Sequence, residues 1–179
     1  GVNLELISNF GVGFNNIDVD YATRKGIVVT NIPKTTREPT AEFAFALLLG
    51  AARRIGYYDR KIRTPQGVKT LGIIGMGRIG QSLARRAVAS GMNIIYNNRN
   101  RLAEDIEKQY SARFVSKDEL LKTADFISLN APSTPETYHM IGEKEFNMMK
   151  QTAVFINTAR GDMVDEKAML KALNENRIG

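Results

Sequence analysis

The sequence contains no cysteine and no tryptophan, and it has a single histidine, His139. Without cysteine the chain forms neither disulfides nor thiolate metal sites, and it has no cysteine nucleophile. One histidine is too few for a histidine-rich metal centre, and no cluster of carboxylates replaces it. Thiol chemistry is therefore excluded, and we expect no bound metal.

Long apolar runs are also missing. No stretch approaches the ~20 residues that span a bilayer, and residues 1–10 show no basic region followed by an apolar core. These features predict a cytoplasmic protein that does not associate with membranes. The 179 residues, 43% of them hydrophobic, are sufficient for one ordinary domain with a substantial core.

Acidic residues are absent from residues 60–103, an interval that holds nine lysines and arginines. The chain has a net charge of +6, so the remainder carries a net charge of −3. A phosphate-rich small ligand explains this local excess as well as a nucleic acid does. A solvated basic face is the simpler interpretation for Arg85 and Arg86.

Residues 69–80, KTLGIIGMGRIG, form the central motif, in which an apolar run leads into Gly75-x-Gly77-x-x-Gly80. The pattern predicts a strand, a tight turn and the start of a helix. Gly75 permits the turn, Gly77 lets a pyrophosphate approach the backbone, and Gly80 lets the helix pack on the strand. The unpaired N–H groups of the first helical turn would face the phosphates. Alone, the motif is a weak signal, because glycines also occur in ordinary turns.

Strands and helices alternate from the glycine motif onwards. Strands are predicted at 70–74, 93–96, 113–115, 126–129 and 153–157, and helices at 78–90, 102–109, 117–123, 143–149 and 166–174. Because parallel neighbours need crossover connections, this order predicts an α/β doubly wound parallel sheet with its ligand at the carboxyl ends of the strands. Upstream, strands are expected at 4–8 and 27–30.

A long apolar helix is predicted at 40–58, with Pro39 forbidding helix just before it. It is too apolar for a solitary surface element, so we expect another domain or another subunit to cover it.

Polar residues follow the predicted strands. Asn98, Arg99 and Arg101 lie about 20 residues beyond Gly77, where an NAD site usually carries an acid. No acid is present, and the two arginines suit a 2′-phosphate, which favours NADP over NAD. The alternative is a solvated loop with incidental arginines. Arg160 follows the last strand and is placed to bind a substrate carboxylate or carbonyl.

Several segments together resemble one family. GIIGMGRIG, APSTPETYHMIG and INTARGDMVDE, in this order, are similar to the D-isomer-specific 2-hydroxyacid dehydrogenases, in particular the glyoxylate/hydroxypyruvate reductase and phosphoglycerate dehydrogenase branch. LISNFGVGFNNIDVDYATRKGIVVTN and TAEFAFALLLGAARR are similar as well. The resemblance implies a Rossmann dinucleotide-binding domain at 35–179, and at 1–34 a remnant of a flavodoxin-like, truncated substrate-binding domain.

The resemblance also implies site residues. Arg160 corresponds to the catalytic arginine that binds the 2-oxo acid and polarises its carbonyl, and the backbone N–H groups of Val12 and Gly13 correspond to those that hold the substrate carboxylate. Arg78 and Ile79 would meet the pyrophosphate through their backbone N–H groups. The full set of implied cofactor contacts is Gly75, Gly77, Arg78, Ile79, Gly80, Asn98, Arg99, Arg101, Pro132, Thr137, Thr158 and Ala159, with Pro132 on the adenosine side and Thr158 and Ala159 near the nicotinamide.

The sequence departs from the family in two respects. The family's general-acid histidine and its supporting glutamate belong to a segment beyond Gly179, so we expect little or no activity from these 179 residues alone. His139 is expected to be a structural histidine that bonds nearby backbone. The connection at 63–67 is short for the family, which predicts a further loop there that the numbering does not record.

The leading functional prediction is a homodimeric, NADPH-dependent reductase of small anionic 2-oxo acids such as glyoxylate or hydroxypyruvate, with no nucleic-acid partner. An NAD-dependent phosphoglycerate or D-lactate dehydrogenase is the alternative enzyme. A dinucleotide-sensing binding module, similar to the corepressors that resemble these dehydrogenases, is the alternative from another class.

Overall fold

The computed structural model describes residues 3–52 and 68–178. The chain divides into two units, Gly1–Thr40 and Ala41–Gly179. Within the described ranges, no helix has both the length and the apolar character that a membrane span requires. The further loop predicted near 63–67 lies outside the described residues.

The first unit contains two short strands and a helix, β1 (Leu6–Ser8), α1 (Val19–Arg24) and β2 (Val28–Thr30). The strands pair in parallel, with Ile7 opposite Val29. The sequence did not predict α1, because six residues are too few to show a helical period. Its start is marked by Asp18, whose carboxylate accepts the N–H of Tyr21 at 2.8 Å.

Helix α2 (Arg37–Ala52) begins three residues earlier than predicted. Pro39 does not forbid the helix, because it lies in the first turn, where its missing N–H would have no intrahelical acceptor. Residues 53–67, which include the rest of the predicted helix, lie outside the described part of the chain. Ala44 and Leu48 are buried in the core of the second unit, whereas Phe43 and Leu47 are exposed.

The second unit is an alternating series of strands and helices. Its elements are β3 (Thr70–Ile74), α3 (Arg78–Ala89), β4 (Asn93–Asn97), α4 (Glu104–Gln109), β5 (Ala112–Phe114), α5 (Lys117–Thr123), β6 (Phe126–Leu129), α6 (Glu143–Met148), β7 (Val154–Asn157) and α7 (Glu166–Asn174). The strands are parallel and lie in the order β5-β4-β3-β6-β7. The predicted doubly wound sheet is confirmed.

This strand order creates a switch point beside β3. The chain first builds the sheet outward through β4 and β5, then crosses back to place β6 on the other side of β3. Ile74, the last residue of β3, lies opposite both Asn97 and Leu129. The loops after β3, β4 and β6 therefore leave the same edge of the sheet, where ligands bind in folds of this kind.

Both faces of the sheet are covered. Leu71 and Ile73 of β3 belong to a core that includes α2 and α3, while Ile74 belongs to a second core that includes α5, α6 and α7. Consecutive strand side chains point to opposite faces, which explains the division. Arg86, predicted to be solvated, is half-buried on α3 and donates to Glu42 at 3.1 Å.

Candidate functional site

Gly75 brings the glycine loop into direct contact with the segment after β6. Its φ is +94°, and a Cβ at this position would lie 2.5 Å from the nitrogen and 2.7 Å from the Cα of Ala131. A Cβ on Gly80 would lie 2.6 Å from the carbonyl oxygen of Gly75. Both glycines are therefore required by the packing of the protein itself.

Gly77 is different, because none of the described residues that could contact its missing Cβ lies within 4 Å of that position. It is the N-cap of α3, with an ordinary φ of −80° and no side-chain cap. The N–H groups of Arg78 and Ile79 have no acceptor within the helix. Open space in front of unpaired N–H groups at a helix N-terminus fits the pyrophosphate of a dinucleotide.

Asn98 joins the end of β4 to the glycine loop. Its Oδ1 accepts the N–H of Met76 at 2.6 Å, and the N–H of Gly75 donates to the carbonyl oxygen of Asn97 at 3.0 Å. The glycine loop and the loop after β4 are thus held together by two hydrogen bonds. The sequence placed Asn98 at the cofactor but did not show this structural role.

Arg101 is engaged within the protein, which differs from its predicted contact with a 2′-phosphate. Its Nε and Nη2 donate to the two carboxylate oxygens of Glu107 at 2.9 and 2.8 Å. The hydroxyl of Tyr96 donates to Glu107 at 2.6 Å and accepts the N–H of Leu102 at 2.9 Å. The side chain of Arg101 is 66% exposed, but its paired Nε and Nη2 donors are held by a nearly buried carboxylate.

These contacts shift the ionisation of the network. The hydrogen bonds from Arg101 and then from Tyr96 lower the pKa of Glu107 to about 2. Burial, followed by the hydrogen bond to Glu107, raises the pKa of Tyr96 above its ordinary value. Glu107 is therefore a carboxylate and Tyr96 a phenol at neutral pH.

Glu107→Gln is expected to lower the melting temperature at neutral pH, with a difference from the wild type that shrinks in acid. A carboxylate whose pKa falls from 4.5 to about 2 on folding stabilises the native state above pH 4.5, and the stabilisation disappears as the pH falls towards 2. Thermal unfolding followed by circular dichroism across this range measures the effect. Glu104→Gln, which removes an exposed carboxylate from the same helix, is the control. A difference that stays constant in acid would contradict the assignment.

Arg99 is exposed, and its guanidinium makes no hydrogen bond or ion pair within residues 3–52 and 68–178. Its charge nevertheless reaches the segment after β6. There the Thr134 hydroxyl, the backbone of Glu136 and then the charge of Arg99 lower the pKa of Glu136. Of the two predicted arginines, Arg99 is the one with its donors available to an anion.

The segment after β6 carries two predicted cofactor residues, Pro132 and Thr137. Pro132 is exposed. The hydroxyl of Thr137 accepts the N–H of Thr134 at 2.7 Å and lies 2.9 Å from the carbonyl oxygen of Pro132. Thr137 therefore closes the turn Pro135–Thr137 through its own side chain.

Asn130, at the start of this segment, connects it to the loop after β7. Thr158 donates from Oγ1 to Oδ1 of Asn130 at 3.2 Å, and Asn130 donates to the buried hydroxyl of Ser128 at 3.0 Å. The sequence did not single out Asn130 as a site residue. An amide at the carboxyl end of a strand, beside the switch point, is the signal that indicates it.

Asn157 shapes the turn that presents Arg160. Its side chain accepts the N–H of Ala159 at 2.9 Å and donates to the carbonyl oxygen of Arg160 at 2.8 Å. The Arg160 side chain is exposed, and among the described residues it donates once, from Nη1 to the carbonyl oxygen of Ala159 at 2.9 Å. Arg160 thus presents its remaining donors at the edge where the ligand is expected. Asparagine two residues before the bonded N–H is a known turn signal and could have indicated this turn from the sequence.

His139 does not bond the backbone through its ring within the described part of the chain. The ring stacks on Tyr138, with centroids 3.9 Å apart and planes 14° apart. Only its backbone N–H makes a hydrogen bond, to the carbonyl oxygen of Asp162 at 2.9 Å. The expected side-chain bond is therefore wrong, because the imidazole lies against the phenol ring.

In the first unit, two asparagines hold the loop that contains Val12 and Gly13. Asn31 donates to the carbonyl oxygen of Val12, and Asn9 donates to that of Gly13, both at 2.9 Å. The N–H groups of Val12 and Gly13 have no partner among the residues that the structure describes. The loop thus turns its acceptors to the protein and keeps two donors available.

The structure brings the predicted cofactor residues of the second unit, together with Arg160, to one edge of the sheet. Val12 and Gly13 belong to the first unit. Within the two described ranges, no group of three or more histidines and carboxylates could hold a metal ion.

Comparison with known proteins decides the family. Residues 45–179 match the NAD binding domain of the D-isomer specific 2-hydroxyacid dehydrogenases. The chain is a member of this dehydrogenase family. The resemblance of its motifs to the 2-hydroxyacid dehydrogenases is confirmed.

Individual members of the dehydrogenase family match almost the whole chain. The glyoxylate reductases of Korarchaeum cryptofilum and Thermococcus litoralis are 46% and 48% identical over 98% of it. Among solved structures, a glyoxylate reductase from Paecilomyes thermophila is 45% identical over 97% of the chain, with a TM-score of 0.82, and the chain covers 56% of it. A D-lactate dehydrogenase from Aquifex aeolicus, complexed with NAD and lactic acid, is 39% identical over 98% of the chain, with a TM-score of 0.83 and 56% coverage. The chain spans 57–58% of the length of the two archaeal reductases.

Proposed function

We propose that the protein reduces small 2-oxo acids, such as glyoxylate or hydroxypyruvate, with NADPH. The observation that carries this proposal is the convergence of two features at one sheet edge. The open N-terminus of α3 at Gly77 suits a dinucleotide, and the exposed guanidinium of Arg160 suits an anionic substrate. The similarity to glyoxylate reductases supports the choice of substrate.

The site residues have distinct proposed roles. NADPH, when bound, supplies the hydride. Arg160 donates charge-assisted hydrogen bonds to the 2-oxo acid and stabilises the negative charge that develops on its carbonyl oxygen. The available N–H groups of Val12 and Gly13 bind the substrate carboxylate, because their carbonyls are already held by Asn31 and Asn9.

The cofactor contacts are proposed from the same geometry. The N–H groups of Arg78 and Ile79 bind the pyrophosphate, with Gly75, Gly77 and Gly80 shaping the loop. Thr158 and Ala159 lie towards the nicotinamide, and Pro132 lies towards the adenosine. Arg99 binds the 2′-phosphate, since no acid occupies the loop after β4.

We also propose that residues 1–34 belong to a substrate-binding domain and 35–179 to the dinucleotide-binding domain. The division of the chain into Gly1–Thr40 and Ala41–Gly179 is compatible with this assignment. The exposed Phe43 and Leu47 of α2 support a homodimer, because an apolar helix face of this kind is stabilised by a partner.

The most direct test is a kinetic comparison of glyoxylate, hydroxypyruvate and pyruvate with NADPH and NADH, using the whole protein. The proposal predicts the highest kcat/KM for glyoxylate or hydroxypyruvate with NADPH. A preference for pyruvate with NADH would instead favour a D-lactate dehydrogenase. That second candidate is supported by the similarity to the NAD-bound lactate enzyme.

Arg99→Ala is expected to weaken NADPH binding about 10-fold or more and to leave NADH binding nearly unchanged, since it removes a charged hydrogen bond that only the 2′-phosphate receives. Dissociation constants from the fluorescence of bound nicotinamide measure both affinities. Arg113→Ala is the matched control, because it removes the same charge from β5, where Arg113 bonds Glu119. An unchanged ratio of the two affinities in Arg99→Ala would remove Arg99 from the cofactor site.

A further inference from the structure

A compact polar network lies under the loop that follows β4. Glu107 of α4 is 8% exposed and Tyr96 of β4 is fully buried. The carboxylate of Glu107 receives three hydrogen bonds, two from the guanidinium of Arg101 and one from the hydroxyl of Tyr96. The same hydroxyl accepts the N–H of Leu102.

The bidentate contact with Glu107 limits the ability of Arg101 to bind a phosphate through Nε and Nη2. To bind a cofactor phosphate with the same pair of donors, Arg101 would have to release Glu107 and leave a nearly buried carboxylate without its cation. Such a carboxylate is strongly destabilising unless it is paired. Arg99, two residues earlier, pairs with no carboxylate among the described residues.

The network also fixes the loop at its distal end. Asn98 holds the proximal end through its bond to the N–H of Met76. Arg101 and Leu102 hold the distal end through Glu107 and Tyr96. The backbone of Arg99 therefore lies between two anchored points, and its position depends on both.

We propose that Arg101, Glu107 and Tyr96 are positioning residues for cofactor choice, which hold the loop so that Arg99 alone meets the 2′-phosphate. This inference rests on the proposed use of NADPH. It assigns the two arginines different roles. Arg99 contacts the cofactor, whereas Arg101 holds the loop in position through its ion pair with Glu107.

The proposal and a direct contact from Arg101 predict opposite results for Glu107→Gln. If Arg101 bound the phosphate, releasing it from the carboxylate would leave NADPH affinity unchanged or increase it. If Arg101 positions the loop, the release displaces Arg99, and NADPH affinity falls while NADH affinity changes little. The glutamine keeps the size of the side chain and an oxygen for Tyr96.

The experiment measures the dissociation constants of NADPH and NADH for the whole protein. The variants are Glu107→Gln, Tyr96→Phe, Arg99→Ala and the double variant Arg99→Ala/Glu107→Gln. We expect a several-fold loss of NADPH preference in Glu107→Gln and in Tyr96→Phe. In the Arg99→Ala background, Glu107→Gln should cause no further loss of preference, because the residue that the network positions is gone. Tyr96→Phe retains the buried ring, so it provides the test if Glu107→Gln does not fold.

Three outcomes would overturn the inference. Equal weakening of NADPH and NADH in Glu107→Gln would show a general structural role without an effect on cofactor choice. Unchanged or tighter NADPH binding would indicate that Arg101 contacts the phosphate. A wild type that prefers NADH would overturn both the NADP assignment and this inference. The first two results, by contrast, would overturn only the positioning role and leave the NADP assignment in place.

Discussion

Replacing Arg160 with Ala is expected to lower kcat/KM for glyoxylate reduction about 10²- to 10³-fold, the usual cost of removing a donor that stabilises a developing oxyanion. The guanidinium is exposed, and within the described parts of the chain it makes one hydrogen bond, to its neighbour Ala159. Its loss should therefore leave the melting temperature nearly unchanged. Steady-state kinetics with NADPH measure the effect on catalysis, and circular dichroism measures the effect on stability.

Arg160→Lys provides the comparison. Lysine keeps the positive charge but lacks the planar pair of donors that matches a carboxylate or a carbonyl. We expect its activity to lie between that of the wild type and that of Arg160→Ala. A threefold loss of activity corresponds to about the free energy of one weak hydrogen bond. If Arg160→Ala lost no more activity than this, Arg160 would not be the group that polarises the carbonyl.

Gly75→Ala is expected to lower the free energy of unfolding by several kcal/mol. A non-glycine residue at φ +94° costs about 1–3 kcal/mol. The added Cβ would also lie 2.5 Å from a backbone nitrogen of Ala131, and overpacking of this kind costs about 1–3 kcal/mol more. Because the total is a large fraction of the roughly 5–15 kcal/mol that stabilises a domain, we expect poor folding in urea-denaturation experiments.

Gly77→Ala is the matched control within the same loop. Its Cβ enters open space at an ordinary φ, so stability should fall by only about 1 kcal/mol, the difference between glycine and alanine at an N-cap. The methyl group would, however, occupy the space assigned to the pyrophosphate, and NADPH affinity should fall. A Gly77→Ala variant with wild-type NADPH affinity would contradict the proposed phosphate position, whereas a stable Gly75→Ala would contradict the packing argument.

The sequence predicted the sheet well because its signals are local. β6 and α5 have the predicted bounds, since Phe126, Ile127 and Leu129 make β6 mostly apolar and Ser116 is a residue type that commonly begins helices. Ser116 and Glu119 have the S-x-x-E spacing of a capping box, of which only half forms. Ser116 accepts the N–H of Glu119, while the carboxylate of Glu119 binds Arg113 instead.

The details of the site were harder to predict because they depend on contacts between distant residues. Asn98 bonds Met76, 22 positions away, and the carboxylate of Glu107, which holds Arg101, is also bonded by Tyr96, 11 positions away. A run of arginines without acids indicates an anion site, but it does not show which arginine an internal carboxylate will hold. Side-chain partners therefore required the structure, whereas the position of the site followed from strand order.

The turn at Asn157 fixes the backbone of Arg160 through local contacts alone. Both hydrogen bonds of its side chain close within three residues, on Ala159 and Arg160. The backbone of the arginine is thus set by a four-residue segment and needs little from the rest of the sheet. Substitutions elsewhere could therefore change the acid and the cofactor that the proposed enzyme prefers, while Arg160, the proposed ligand of the carbonyl, stays in place.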